Sequence, residues 1–123
     1  MPLDQAGFVI PRRLSHRERQ LEVLKAARDT INTNPELWIK GSYGKGPGHC
    51  VVGWLRHYSS RFRGNQIAVH ALVPVLPVHY QKRLREFPDS VRTVVQAFND
   101  DNRTTHTDVV HLFDEAITRL ETM

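Results

Sequence analysis

After Ser15, apolar residues return every three or four positions at Leu21, Leu24, Ala27 and Ile31, a period that predicts an amphipathic helix over 15–32. Ser15 and Glu18 have capping-box spacing, with Leu14 in the staple position. Asn32, Asn34 and Pro35 end this helix, and Pro35 suits the first position of a short helical turn through Trp38, whose indole is an apolar anchor. Val51, Leu55 and Tyr58 share one face of a second helix over 49–58, with Cys50, Gly53, Trp54 and His57 on the neighbouring face, and residues 59–64 end it. The apolar run 66–73 is bent by Pro74 and Pro77. Pro77 opens a helix that turns Tyr80, Leu84 and Phe87 inward and Lys82, Arg83 and Arg85 outward until Pro88.

Asp89 or Ser90 caps the next helix, whose stripe is Val91, Val94, Val95 and Phe98; the polar run 99–102 reads as a turn. Thr105 and Asp108 form a second capping box, and Val109, Leu112, Phe113, Ala116, Ile117 and Leu120 give the last helix the strongest period in the chain. Strand-like alternation is nowhere sustained, although the β-branched stretch 67–78 admits a strand pair as a rival reading. The expectation is an all-α, compact single-domain bundle of about five or six helices. Its boundaries are an extended segment over 1–14 and a helical domain over 15–123. Four glycines and Pro47 within 41–48 exclude a regular helix and disfavour a strand, so this segment is expected to be a shaped loop.

A length of 123 residues with 40% hydrophobic content supports one core. No stretch approaches the roughly 20 apolar residues that cross a bilayer, and the N-terminus does not resemble a secretory leader. One cysteine, Cys50, precludes an internal disulfide and points to a reducing cytoplasm. The formal charge of +4 is unevenly spread: residues 31–88 hold 8 basic and 2 acidic side chains, residues 89–123 hold 3 and 7. A basic middle and an acidic tail can pair within one fold or between copies, so a homo-oligomer is among the expected partners.

Four constellations bear on chemistry. Cys50 follows the glycine loop at a helix start, where free amides and the helix dipole favour a thiolate; a thiol hydrolase or transferase would use Cys50 as nucleophile, His106 or His49 as base, and Asn99 or Asp100 as orienter. A free cysteine one turn from Trp54 is better suited to inert packing, which is the preferred reading of Cys50. The 41–48 loop, with Trp38, Lys40, Gly41, Lys45, Gly48 and His49, could present amides and charge to a ligand, although it lacks a P-loop ending. The seven histidines have the wrong spacing to chelate, so neither a metal nor a cofactor is expected. Finally, Arg56, Arg61, Arg63, Lys82, Arg83 and Arg85 form a basic set, with Tyr58 and Phe62 among them, that could pair with phosphates of a nucleic acid.

Taken in order, Trp38-Ile39-Lys40-Gly41, then Cys50-Val51-Val52-Gly53-Trp54-Leu55, then Phe98-Asn99-Asp100, then Thr105 and Asp108-Val109, the chain resembles a family of unknown function from bacteria and their phages. The likeness covers about residues 18–120 and implies a small helical domain. Members often carry a second cysteine directly after the Trp; Ile39 stands there, which argues against any role for paired thiols. The resemblance implies no activity, but it directs attention to three sequence-distant elements meeting at one face. The preferred reading is a non-catalytic accessory or interaction protein, phage- or mobile-element-related, that meets a protein partner through the polar surface around 41–48. The thiol enzyme and the nucleic-acid binder are its alternatives.

Overall fold

The computed structural model describes residues 15–59, 67–88 and 90–123. The predicted 1–14 segment, Leu14, Asp89, Arg61, Phe62 and Arg63 lie outside the described residues. Among the described residues the chain forms six α-helices: α1 (His16–Thr33), α2 (Val51–Ser59), α3 (Ile67–Leu72), α4 (Val78–Glu86), α5 (Val91–Asp100) and α6 (His106–Glu121). Short 3-10 turns occupy Pro35–Leu37 and Val73–Val75. This is an all-α bundle, and the run after 66 is helix and turn, not a strand pair.

Both predicted capping boxes form. The Ser15 hydroxyl accepts from the Glu18 amide while the Glu18 carboxylate accepts from the Ser15 amide, and Thr105 with Asp108 repeats the arrangement at α6. The long helices α1 and α6 pack antiparallel. Arg17 donates to the Met123 carbonyl at one end, Lys25 pairs with Glu121, Arg28 with Asp114, and His106 meets the Ile31 carbonyl at the other. Their apolar stripes, Leu24, Ala27 and Ile31 against Val109, Phe113 and Ala116, are fully buried and enclose Leu55, Leu72, Val94 and Val95 from the shorter helices. Val51 to Leu55 are all buried, so α2 is apolar around most of its circumference because the other elements surround it.

Three expectations need correction. Phe87 does not turn inward: α4 ends at Glu86, and Phe87, at its C-cap, is 60% exposed. Asn99 and Asp100 are not a turn but the last two residues of α5, because their side chains bond to other segments instead of folding back on their own backbone. The glycine segment does contain extended structure, since Gly44–Lys45 pairs antiparallel with Gly48–His49 as a two-residue hairpin. His49 also bridges to Trp38 in parallel, so the hairpin's second strand is flanked on both edges.

Candidate functional site: the hairpin corner

Asn99 organises the region where the hairpin meets the bundle. Its side chain is fully buried, at 0% exposure, and makes all four hydrogen bonds an amide can make. Its Oδ1 accepts from the Trp38 indole Nε1 at 2.6 Å and from the Val51 amide at 3.0 Å; its Nδ2 donates to the Ile39 carbonyl at 3.0 Å and to Asp100 Oδ1 at 2.9 Å. Val51 is the first residue of α2, so an unpaired helix-start amide is capped from another helix 48 positions away. The three elements of the sequence pattern therefore do converge.

Asp100 holds the next residues of the loop. It sits at the C-terminus of α5, where the helix dipole disfavours a negative charge. Burial pushes its carboxyl up, but the Gly41 amide at 2.8 Å, the Gln96 and Asn99 side-chain amides and the charge of Lys40 outweigh that and hold it below the usual carboxylate range. Gly41 has φ +83°, a conformation that strains residues with a Cβ. Lys40 donates to the Asp101 carbonyl at 2.7 Å and lies 5.6 Å over the Trp38 ring. The Gly41 amide, expected as a ligand donor, is thus already occupied by the protein.

Cys50 lies beneath this network. Its side chain is fully buried; its thiol donates to Gln96 Oε1 at 3.0 Å and accepts from the Gly53 amide at 3.3 Å. Burial pushes the thiol above its ordinary value despite the amide contacts, the reverse of what a helix start alone favours. Of the proposed bases, His106 is engaged with the Ile31 carbonyl at 2.8 Å and, at 6.3 Å, the edge of Trp38, while His49 Nδ1 meets the Tyr43 carbonyl at 2.8 Å. The group that reaches the sulfur is Gln96, which also donates to both Asp100 oxygens and so ties the thiol to the network without activating it. The thiol is a buried group whose hydrogen-bond partners are the Gln96 side chain and the Gly53 amide.

Gly53 accounts for the second glycine of the pattern. A Cβ there would overlap the Tyr43 carbonyl oxygen, so the hairpin lies directly on α2. Trp54 clamps the same edge, its Nε1 donating to the Leu37 carbonyl at 2.8 Å and its ring meeting His49 edge-on at 4.6 Å.

Solvent meets the outer side of the corner. Tyr43 is 44% exposed with Arg56 5.5 Å from its ring centre, Lys45 is exposed on the first strand, and His57 stacks on His49 at 5.8 Å. A depression of about 400 Å³ lies among Tyr43, His49, Arg56 and His57. Gly48 is buried against Ile39 and Leu37 and presents nothing outward. Of the expected basic set, Lys82, Arg83 and Arg85 are exposed on α4 and Arg56 on α2.

Sequence reasoning missed Gln96 and Tyr43. Gln96 stands four residues before Asp100, a same-face helical spacing that could have flagged it. Tyr43 is held by its carbonyl, which meets His49 Nδ1 and lies where a Cβ on Gly53 would fall, and by its ring against Arg56.

No curated protein and no solved structure matches the chain. A family model matches residues 15–119, from the α1 cap into the last turn of α6, and the chain belongs to that family, DUF6197, a family of unknown function.

Proposed function

We propose that the protein is a non-catalytic interaction protein whose working surface is the outer side of the hairpin together with the adjoining turns of α2. The observation that carries this reading is the division of labour at Asn99. The inner groups, Asn99, Asp100, Gln96 and the Cys50 thiol, bond to one another, to the Trp38 indole and to the backbone of Ile39 and Gly41, while Tyr43, Lys45 and Arg56 are exposed to water. A corner built this way fixes the shape of a small surface before any partner arrives, which lowers the ordering cost of association. The +6 balance of residues 31–88 favours a partner with negative charge.

Site-directed photocrosslinking in cells tests this reading. With Tyr43 or Arg56 replaced by p-benzoylphenylalanine, irradiation should give a discrete adduct. The same replacement at Thr118, exposed on α6, should not. Equal adducts from all three positions, or none from 43 and 56, would overturn the proposal. Cys50→Ala should leave the adduct unchanged; its loss in a variant that still folds would restore the thiol to the function.

A further inference from the structure

The depression beside Tyr43 does not end at the hairpin. A second, of about 470 Å³, shares Tyr43 with it and adds His70 and Arg92; a third, of about 510 Å³, shares His70, Pro88 and Val91 with the second and reaches Arg85. Together they follow a track from α2 past α3 to the facing sides of α4 and α5. Each depression carries one arginine and at least one histidine, and among the described residues no Asp or Glu lines any of them. The cavity of about 370 Å³ between α4 and α6 has the opposite character, with Asp101, Asp108 and Glu115 in its walls.

Among the described residues the arginines of the track also form no ion pair. Elsewhere Lys25, Arg28 and Arg103 pair with carboxylates, but among the described residues Arg56, Arg85 and Arg92 do not. The floor of the third depression, beside Arg85, is largely apolar, with Val73, Pro74 and Val91, whereas the exposed lining of the second is mostly polar.

Resting on the reading of the hairpin side as the working surface, we infer that the track binds single-stranded nucleic acid, one phosphate at each of Arg56, Arg92 and Arg85, with a base stacked at Tyr43 and others on the apolar floor. A single strand offers both charges and free base faces, whereas a duplex hides its bases and would leave ring and floor unused. An acidic peptide offers a flat aromatic face only where an aromatic residue falls, whereas every nucleotide offers one to the Tyr43–Arg56 pair, which already sets a guanidinium against a ring at 5.5 Å.

Fluorescence anisotropy with a labelled oligothymidylate of about 15 nucleotides tests this. Neutralising three phosphates on a single strand predicts a slope of about −2 in log affinity against log salt. Arg92→Ala and Arg85→Ala should each weaken binding and reduce that slope by about 0.7. Tyr43→Ala should weaken binding about tenfold and leave the slope unchanged, the mark of stacking instead of charge. Far-UV circular dichroism confirms that each variant is folded. No binding at low salt, or equal affinity for a duplex with no effect of Tyr43→Ala, overturns the inference. The position-43 crosslink separates this inference from the broader one: a nuclease-sensitive adduct supports both, a nuclease-resistant protein adduct sinks the nucleic acid and keeps the interaction surface, and no adduct sinks both.

Discussion

The two sides of the hairpin treat polar groups in opposite ways. On the inner side every hydrogen-bonding position of Asn99 is filled, and Asp100 collects the Gly41 amide and Gln96. On the outer side Arg56, and beyond the hairpin Arg92 and Arg85, face depressions that contain no carboxylate among the described residues. Saturated groups hold a shape, and removing one exposes the desolvation cost of its partners. Unpaired surface charges contribute little to folding and remain available for something else.

That contrast is open to direct test. Asn99→Ala strands the Trp38 indole, the Val51 amide and the Ile39 carbonyl together, and at about 1–3 kcal/mol for each unsatisfied buried group the loss should reach about 3 kcal/mol or more in urea unfolding. A loss below about 1 kcal/mol would mean water replaces the side chain and the corner is not saturated. Gly53→Ala should follow closely, at about 2–3 kcal/mol, because the new methyl meets the Tyr43 backbone instead of a side chain that can rotate away; an unchanged midpoint would show that the hairpin is not seated on α2.

The pH dependence should come from the neighbouring corner as well. Tyr80, buried and donating to Asp101 at 2.6 Å, has its phenol pushed up to about 12 from an ordinary value near 10. A group raised in the folded state favours folding fully below its unfolded value and loses that contribution as pH climbs through the folded one. Stability should therefore fall between about pH 10 and 12, and Tyr80→Phe should flatten that limb in thermal melts. Asp100 and Asp101 are both lowered, so their contribution is present above the ordinary carboxylate range and disappears as pH falls below about 4. Asp101 owes its shift first to the Arg103 side chain and then to the Tyr80 hydroxyl.

Smaller effects complete the series. Trp38→Phe deletes one donor to Asn99 while keeping an aromatic body, for about 1 kcal/mol, and a cost as large as that of Asn99→Ala would shift the weight of the corner from the amide to the indole. Arg56→Ala and Arg92→Ala should alter stability by no more than about 0.5 kcal/mol. A larger loss would reveal them as structural and erase the distinction between the two sides.

Much of this corner was legible in residue order. Trp38, Gly41, Cys50, Gly53, Asn99 and Asp100 were singled out by type, and a helical bundle can gather element ends. What could not be read was the direction of each group's chemistry. Cys50 beside a helix start admits an activated thiol, although packing is the preferred reading; which of the two holds depends on burial, and burial depends on Gln96 and α5 closing over it. The basic set was read from runs of adjacent arginines, which overlooked Arg92: it stands alone in an acidic stretch and joins the track only because α5 packs against α3 and α4.

The sequence alone determined the long helices, their two capping boxes and the division into a basic middle and an acidic end, since periodicity, capping boxes and charge are local properties of the chain, whereas it left α3 as a bent apolar run and Ser90 makes no capping bond. Only the tertiary structure decided that Asn99 caps α2 from 48 residues away, that burial pushes the thiol up and that three scattered arginines line adjoining depressions. Desolvation and long-range hydrogen bonding depend on what surrounds a group after packing, and no window of neighbouring residues contains that information.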